Sequence, residues 1–328
     1  MTLTQLRAFV AVARLGSVKA AALSLRVSEP AVSSAVAALR RELGDQLFVR
    51  AAGGIALTPG GRRLAAGAAE IVGLAEDTCR RVREAGSGSV SLRVATTETS
   101  AEQILPPLLE AFLRRRPEIE STTLAVPAAL LDQVLLDRRA DVAIGATTGE
   151  PAADDVVERF PFLRFQLAVV AAPAYLGLRP GAPAERPRLP ESRLPRERWL
   201  LGPGGLDPGT PGGAFLARHG VGDSCTSIFP SATAALNAAV AGDGLSVSLV
   251  HLVRDQLRQG ALTLVDVPGL PVNGMLYAGA LRGARRSPAA SALCGFVTTP
   301  AALESLLTRA TGVPVGHYRP TVHVTLWS

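Results

Sequence analysis

Apolar positions divide the chain into three stretches with different periods. In the first, Leu6, Phe9, Val10 and Ala13 recur at helical intervals and define one face of a helix that Gly16 ends, with Ser17 placed to cap the next. Lys19 to Leu25 continues as a short helix whose three alanines let another helix cross closely. Ser28 then caps a third helix with Pro30 in its first turn, where a missing N–H costs nothing. Val32, Val36 and Leu39 follow at i, i+4 and i+7 and predict its buried face. After Gly44, "QLFVRAAGGIALTPGG" reads as strand, Gly-Gly turn, strand: a small wing.

Between 60 and 85 the period changes. Leu64, Ala68, Ile71, Ala75, Thr78, Val82 and Ala85 alternate steps of four and three, the spacing of a coiled-coil seam. One long helix pairing with a second copy is the expectation, and "GSGS" at 86–89 is a hinge by composition.

From Val90 strands alternate with helices. "SLRVAT", "STTLAV" and "DVAIG" read as strands, with helices over Ser100–Arg116 and Leu130–Arg139 between them. That order predicts a parallel sheet built by crossovers. The scheme repeats through "FQLAVVA", "RWLLG", "CTSIF", a helix at 231–242, "LSVSL" and a helix near 251–258. "NGMLYAGAL" and a helix near 288–308 then return the chain to the first half.

Charge adds a partner to this picture. Residues 1–89 hold 12 Lys and Arg against 7 Asp and Glu, whereas the remaining 239 hold 22 against 21. The excess of positive charge sits in the first quarter, which fits a polyanion-binding module on a near-neutral body; a solvated basic face is the other reading. The three cysteines (Cys79, Cys225, Cys294) are far apart and form no CxxC pair, and the four histidines show no metal-ligand spacing. No cofactor or metal is expected. No apolar run approaches the length of a membrane span, and Arg7, Arg14, Lys19 and Arg26 interrupt any signal-peptide core, so a cytoplasmic protein is expected. A catalytic reading has little to stand on: neither His219, His251 nor Cys225 has a motif around it.

The run Ala21, Ala22, Leu25, Val27, Ser28, Pro30, Ala31, Val32, Ser33, Val36, Leu39, Glu42, Leu43, Gly44, Leu47, Phe48, Arg50, followed by Leu57, Thr58, Pro59 and Gly61, resembles the winged helix-turn-helix of LysR-type transcriptional regulators. "ILPPLLEAFLRRRPEIE", "RRADVAIG" and "AALNAAVAGDGLSVSL" extend the resemblance more loosely. It implies an α + α/β architecture: a DNA-binding head (1–59), a coiled-coil linker helix and hinge (60–89), and a two-lobed effector domain like the periplasmic binding proteins (90–310). Lobe I would take about 90–160 and 268–310, lobe II about 161–267, and 311–328 form an extension. The implied partners are double-stranded DNA, a small-molecule effector such as a carboxylate, and further copies of the chain as dimer or tetramer.

The same resemblance places the third helix in the DNA major groove, leading end first. Ser28, Glu29, Pro30, Ser33 and Ser34 would lie near bases or phosphates, with Lys19 and Arg50 as phosphate clamps. The chain departs from the family at Glu29, where Gln is common, at Ser34 and Ala35, which lack the usual long donors, and at Gly53 and Ala56 in the wing. A weaker reader of sequence is expected, and a small-molecule sensor with a weakened or vestigial head is the alternative. For the effector, "TTETSAEQ" supplies Thr97, Thr99 and Ser100 at a strand-to-helix junction, a common site for ligands on open sheets. Ala128 and Thr147 end the next strands, and Gly202, Gly204 and Gly205 of "LGPGGLDPG", with Ser231, would form the opposite wall by offering backbone N–H groups. Glu98 and Glu102 at this mouth disfavour a small polyanion.

Overall fold

A computed structural model describes residues 1–51, 54–87, 89–147, 155–178, 186–307 and 322–323. By its internal contacts the chain forms two units, Met1–Ser89 with Gln133–Arg139, and Val90–Asp132 with Ala140–His323.

The N-terminal unit opens with three helices: α1 (Leu3–Leu15), α2 (Val18–Leu25) and α3 (Glu29–Leu43). Each begins on a side-chain cap: Thr2, with Gln5 completing a capping box, then Ser17, then Ser28. α1 and α3 end on glycines in the left-handed region, Gly16 and Gly44. Of the positions marked by periodicity, Leu6, Phe9, Val10, Val32, Val36 and Leu39 are buried in one core and Ala13 packs at its edge, while Val12, which was not marked, is buried with them. The wing is a hairpin of β1 (Phe48–Ala51) and β2 (Gly54–Leu57), docked through Phe48 against Phe9 with ring centroids 5.0 Å apart.

A single long helix, α4 (Pro59–Ser87), follows. Its first turn fits against the base of the wing only because it is glycine: a Cβ on Gly61 would stand 2.0 Å from the Leu47 carbonyl oxygen. Asp45 holds that base by accepting from the Leu47 N–H at 2.6 Å and the Thr58 hydroxyl at 2.7 Å. These hydrogen bonds, Thr58 first, lower the Asp45 carboxyl below its ordinary value. The helix passes through Gly86 and Ser87, so the glycine-serine composition does not break it there; Gly88 lies outside the described residues.

In the second unit β3 (Val90–Thr96) pairs in parallel with β4 (Ile119–Ala125) and β5 (Val142–Thr147). The expected single helix after β3 is two, α5 (Glu98–Gln103) and α6 (Leu105–Leu113). Pro106 and Pro107 carry no N–H for the carbonyls of Glu102 and Gln103, so the ladder stops at Ile104. The helix expected over Leu130–Arg139 shortens to a 3-10 turn (Ala128–Leu130) and α7 (Leu131–Leu136).

The sheet is mixed rather than parallel throughout. β6 (Val157–Ala171) is long enough to serve both lobes: its first two-thirds pairs antiparallel with β11 (Val272–Leu281), its end with β9 (Ser246–Leu249) and β10 (Thr263–Val265). β11 also pairs antiparallel with β5, which is how the returning strand rejoins the first half. Lobe II adds β7 (Trp199–Leu201) and β8 (Thr226–Ile228), paired in parallel, with α8 (Pro211–Arg218), α9 (Ala232–Ala241) and α10 (Arg254–Arg258). The expected 288–308 helix is again two, α11 (Pro288–Val297) and α12 (Pro300–Leu307), bent by 68° where Thr299 caps the second. Val322–His323 forms β12 beside β4; the rest of 311–328 lies outside the described residues. No single helix among the described residues is long and apolar enough to cross a membrane.

Candidate functional site: a helical DNA-binding face and an inter-lobe pocket

The helix-turn-helix face is slim and exposed. Lys19 on α2 and Ser28, Glu29, Pro30, Ser33 and Ser34 at the leading end of α3 are all exposed, while Val32 and Val36 between them face the core. The Ser28 hydroxyl accepts from the Ala31 N–H at 3.4 Å, which fixes where α3 starts. Leu23 and Val27 stand beside them at 73% and 50% exposure. In the sequence Val27 stands only as part of the helix-turn-helix resemblance, and neither side chain is given a role at the site. Arg50 lies in β1, but its side chain, like residue 53, is outside the described residues.

The residues of the expected dimer seam separate along α4. Ala68 is buried at 1% exposure in the head's own core and is not free for a second copy, while Leu64 is half-buried against that core. The helix's first turns must cover α1, and that role takes these two small-step positions. Ala75 is half-buried, whereas Ile71, Leu74 and Val82 are exposed at 47%, 48% and 70%. The free apolar stripe runs through Ile71, Leu74, Thr78 and Val82.

In the second unit a cavity of about 130 Å³ opens between the lobes. Lobe I lines it with Thr97, Thr99, Ser100, Gln103, Ala128 and Ala146. Lobe II lines it with Leu201, Gly202, Gly205, Thr210, Gly212, Ala235 and Leu236, and β6, β9 and β11 close the floor with Phe165, Leu167, Ser246, Val247, Ser248, Leu249 and Leu276. Six of the expected residues meet here: Thr97, Thr99, Ser100, Ala128, Gly202 and Gly205. Thr147, Gly204 and Ser231 do not line the cavity. Thr147 pairs with Met275 at the end of β5, Gly204 sits at the exposed crest of its loop, and Ser231 caps α9 by accepting from the Ala234 N–H at 3.0 Å.

Two further corrections concern hydrogen-bond donors. Ser100 does not begin a helix: Thr97 precedes the first turn of α5, and its hydroxyl donates to the Ser100 hydroxyl at 3.2 Å. Of the glycine-rich loop's expected donors, the Gly205 N–H is used within the loop, as are those of Asp207, Gly209 and Thr210. Gly205 donates to Gly202, Asp207 to Gly204 and Thr210 to Asp207 through the backbone, and the Asp207 carboxylate takes the Gly209 N–H at 2.8 Å. The other Asp207 oxygen crosses the cleft and accepts from the Ala128 N–H at 2.8 Å. In the opposite sense, Glu102 of lobe I accepts from the Ala232 N–H at 2.7 Å and the Thr233 N–H at 2.9 Å, at the start of α9. Each lobe therefore presents a carboxylate that holds backbone donors of the other.

The groups with chemical potential elsewhere are not assembled for catalysis. His219 Nδ1 lies 3.1 Å from a Glu191 oxygen and its ring packs on Phe215. Burial, helped by Arg254, pushes the His251 imidazole below its ordinary value. Cys225 Sγ donates to the Gly222 carbonyl, and burial pushes the Cys294 thiol up to about 12. No cluster of His, Cys, Asp and Glu among the described residues could hold a metal ion.

A winged helix-turn-helix on a long helix, with a two-lobed α/β unit enclosing a pocket, defines a ligand-responsive DNA-binding protein. Comparison with known proteins narrows the class. Residues 3–62 match the family of bacterial regulatory helix-turn-helix proteins of the lysR type, and residues 85–301 match the LysR substrate binding domain. The chain belongs to the LysR family of DNA-binding transcriptional regulators with an effector-binding domain. It is 38% identical over 329 aligned positions, covering 100% of both chains, to an uncharacterized HTH-type transcriptional regulator of Mycobacterium tuberculosis. It is 30% identical to the RuBisCO operon transcriptional regulator of Allochromatium vinosum, over 92% of this chain and 97% of that one. Among solved structures, the LysR family regulator CbnR shares the fold at TM-score 0.55 and 23% identity, over 90% of this chain and 98% of that one. The helix-turn-helix match spans the whole head, and a vestigial head has no support.

Proposed function

We propose that the chain is a cytoplasmic one-component regulator that binds double-stranded DNA through the leading end of α3 and reads a small molecule in the inter-lobe pocket. The exposed constellation of Lys19, Ser28, Pro30, Ser33 and Ser34, on a head carrying most of the excess positive charge, is the observation that carries the DNA half. Backbone N–H groups and short hydroxyls at a helix start approach phosphates and base edges closely. Glu29, facing the same way, accepts from cytosine but cannot read adenine as glutamine does, so affinity rests on phosphates and DNA shape. Arg50 is assigned to a phosphate by resemblance. CbnR has been crystallised with its target DNA, and LysG of Corynebacterium glutamicum with bound arginine as effector, which supports both halves of this reading.

Two copies pair through the exposed stripe of Ile71, Leu74, Thr78 and Val82, since a lone helix gains nothing from leaving these side chains in water. The chain acts by binding rather than catalysis. Fluorescence anisotropy with the DNA upstream of its own gene tests the proposal, with a scrambled duplex as control. Preferential binding supports it, and equal binding to both duplexes counts against it.

A further inference from the structure

Resting on the reading of the inter-lobe pocket as the effector site, we infer that this pocket takes an uncharged, largely apolar molecule, because the chain's own carboxylates already occupy the places an anion would use. Among the described residues no Lys, Arg, Asp or Glu lines the cavity. Its floor sets Phe165, Leu167, Leu249 and Leu276 beside the uncharged hydroxyls of Ser246 and Ser248, and the Gln103 amide is the longest polar side chain on the wall.

The start of α9 is where an acid would be expected to bind, yet its donors are taken. Glu102 accepts from Ala232 and Thr233, the Ser231 hydroxyl from Ala234, and the Ser231 carbonyl from Ala235. Across the cleft Asp207 takes the Ala128 N–H. The Glu98 carboxylate, in the first turn of α5, lies against Gly204, 3.2 Å from where a Cβ would stand. An incoming anion would meet the Glu98, Glu102 and Asp207 carboxylates, with no cation among the described residues lining the cavity and the donors at the start of α9 already satisfied. A cation would be drawn to the carboxylates at the mouth, but among the described residues the cavity wall itself carries no charged side chain, so a cation seated inside would lose its hydration without an ionic partner in contact. An engineered apolar cavity of about 150 Å³ takes benzene, so the space here suits a molecule of roughly six to ten non-hydrogen atoms.

Three probes of nearly equal size separate charge from shape: benzyl alcohol, benzoate and benzylamine, titrated into the full chain near neutral pH by thermal shift and calorimetry. Benzyl alcohol is expected to stabilise saturably, with a dissociation constant at least about tenfold below that of either ion. Gly212→Leu puts a side chain into the cavity from a site where a Cβ meets only Val247 at an ordinary 3.5 Å, and should abolish the effect while leaving the fold intact. Glu98→Gln with Glu102→Ala, which uncovers the Ala232 and Thr233 donors, should bring benzoate binding up. Benzoate or benzylamine binding the parent as tightly as benzyl alcohol overturns the inference, as does binding that survives Gly212→Leu, or no response to any probe. Specific DNA binding, measured in parallel, tests the regulator reading independently. A chain that binds DNA but prefers benzoate sinks only the present inference, and one that binds benzyl alcohol but not DNA sinks only the regulator.

Discussion

Glu102 and Ala232 stand 130 residues apart in sequence, yet a Glu102 carboxylate oxygen accepts the Ala232 N–H at 2.7 Å and joins the two lobes. The second oxygen takes Thr233, so one side chain caps a helix in the other lobe. Glu102→Ala leaves two N–H groups at a helix start to water and removes a favourable charge there, a loss of about 1 kcal/mol. Urea denaturation should show that drop, and Glu102→Gln, which keeps one acceptor, should show less. An unchanged midpoint for Glu102→Ala would mean that the carboxylate contributes nothing to holding the lobes.

Gly61 allows α4 to start against the wing. The 2.0 Å approach of its missing Cβ to the Leu47 carbonyl leaves no room for alanine without backbone movement. Gly61→Ala should cost about 1–3 kcal/mol, the usual range for overpacking, and shift the wing relative to α3. Gly67→Ala, with open space around it, serves as the control and should leave stability nearly unchanged or slightly raised.

The stripe on α4 predicts assembly. Ile71→Asp with Val82→Asp places charges at two exposed positions, so the fold of one chain should persist while the mass by light scattering falls. Ala68→Asp is a different experiment, because Ala68 is in the head's core and that change should unfold the head. An unchanged mass for the double variant would remove the stripe from the interface.

His251 predicts a pH dependence with a definite sign. Burial, then Arg254, lowers its affinity for a proton in the folded chain, and its Nε2 is buried without a hydrogen-bond partner among the described residues. Its full stability is present above the unfolded value of about 6.5 and is lost as pH falls through it, where the unfolded chain takes the proton first. The melting temperature should therefore fall more between about pH 7.5 and pH 5.5 for the parent than for His251→Phe. Parallel curves would show that His251 contributes nothing to the acid limb.

Local signals made the head legible. Ser28, Pro30, the Val32–Val36–Leu39 spacing and Gly44 each act over one or two helical turns, and each does in the fold what its position implies. The same reliance on periodicity misled at 100–116, where Ile104, Leu108 and Phe112 keep a helical face across two prolines that stop the ladder. It also grouped Leu64 and Ala68 with Ile71 and Val82, because a seam and a core-facing stripe share one spacing over so few turns. The pocket was legible at its polar lip, Thr97 to Ser100, and illegible at its floor. Phe165 and Leu276 read as ordinary strand core, and only the antiparallel pairing of β6 with β11 brings them under the cleft. Of the crossed carboxylates, Glu102 was legible as an acid at the mouth, while its hold on α9 and the reach of Asp207 to Ala128 depend on contacts far apart in sequence.

The central claim is that this head reads DNA with phosphate contacts and helix N–H groups rather than long base-reading side chains. Anisotropy over a salt series on the upstream duplex tests it most directly. The parent should prefer that duplex to a scrambled one with a shallow slope, since backbone donors release no counterions and each neutralised phosphate adds only about −0.9. Lys19→Ala should flatten the slope further by about one unit per head and weaken all sequences alike, while Ser34→Arg should tighten binding and steepen the slope. A parent that binds the upstream duplex no better than the scrambled one, with Lys19→Ala and Ser34→Arg leaving the slope unmoved, would contradict the account.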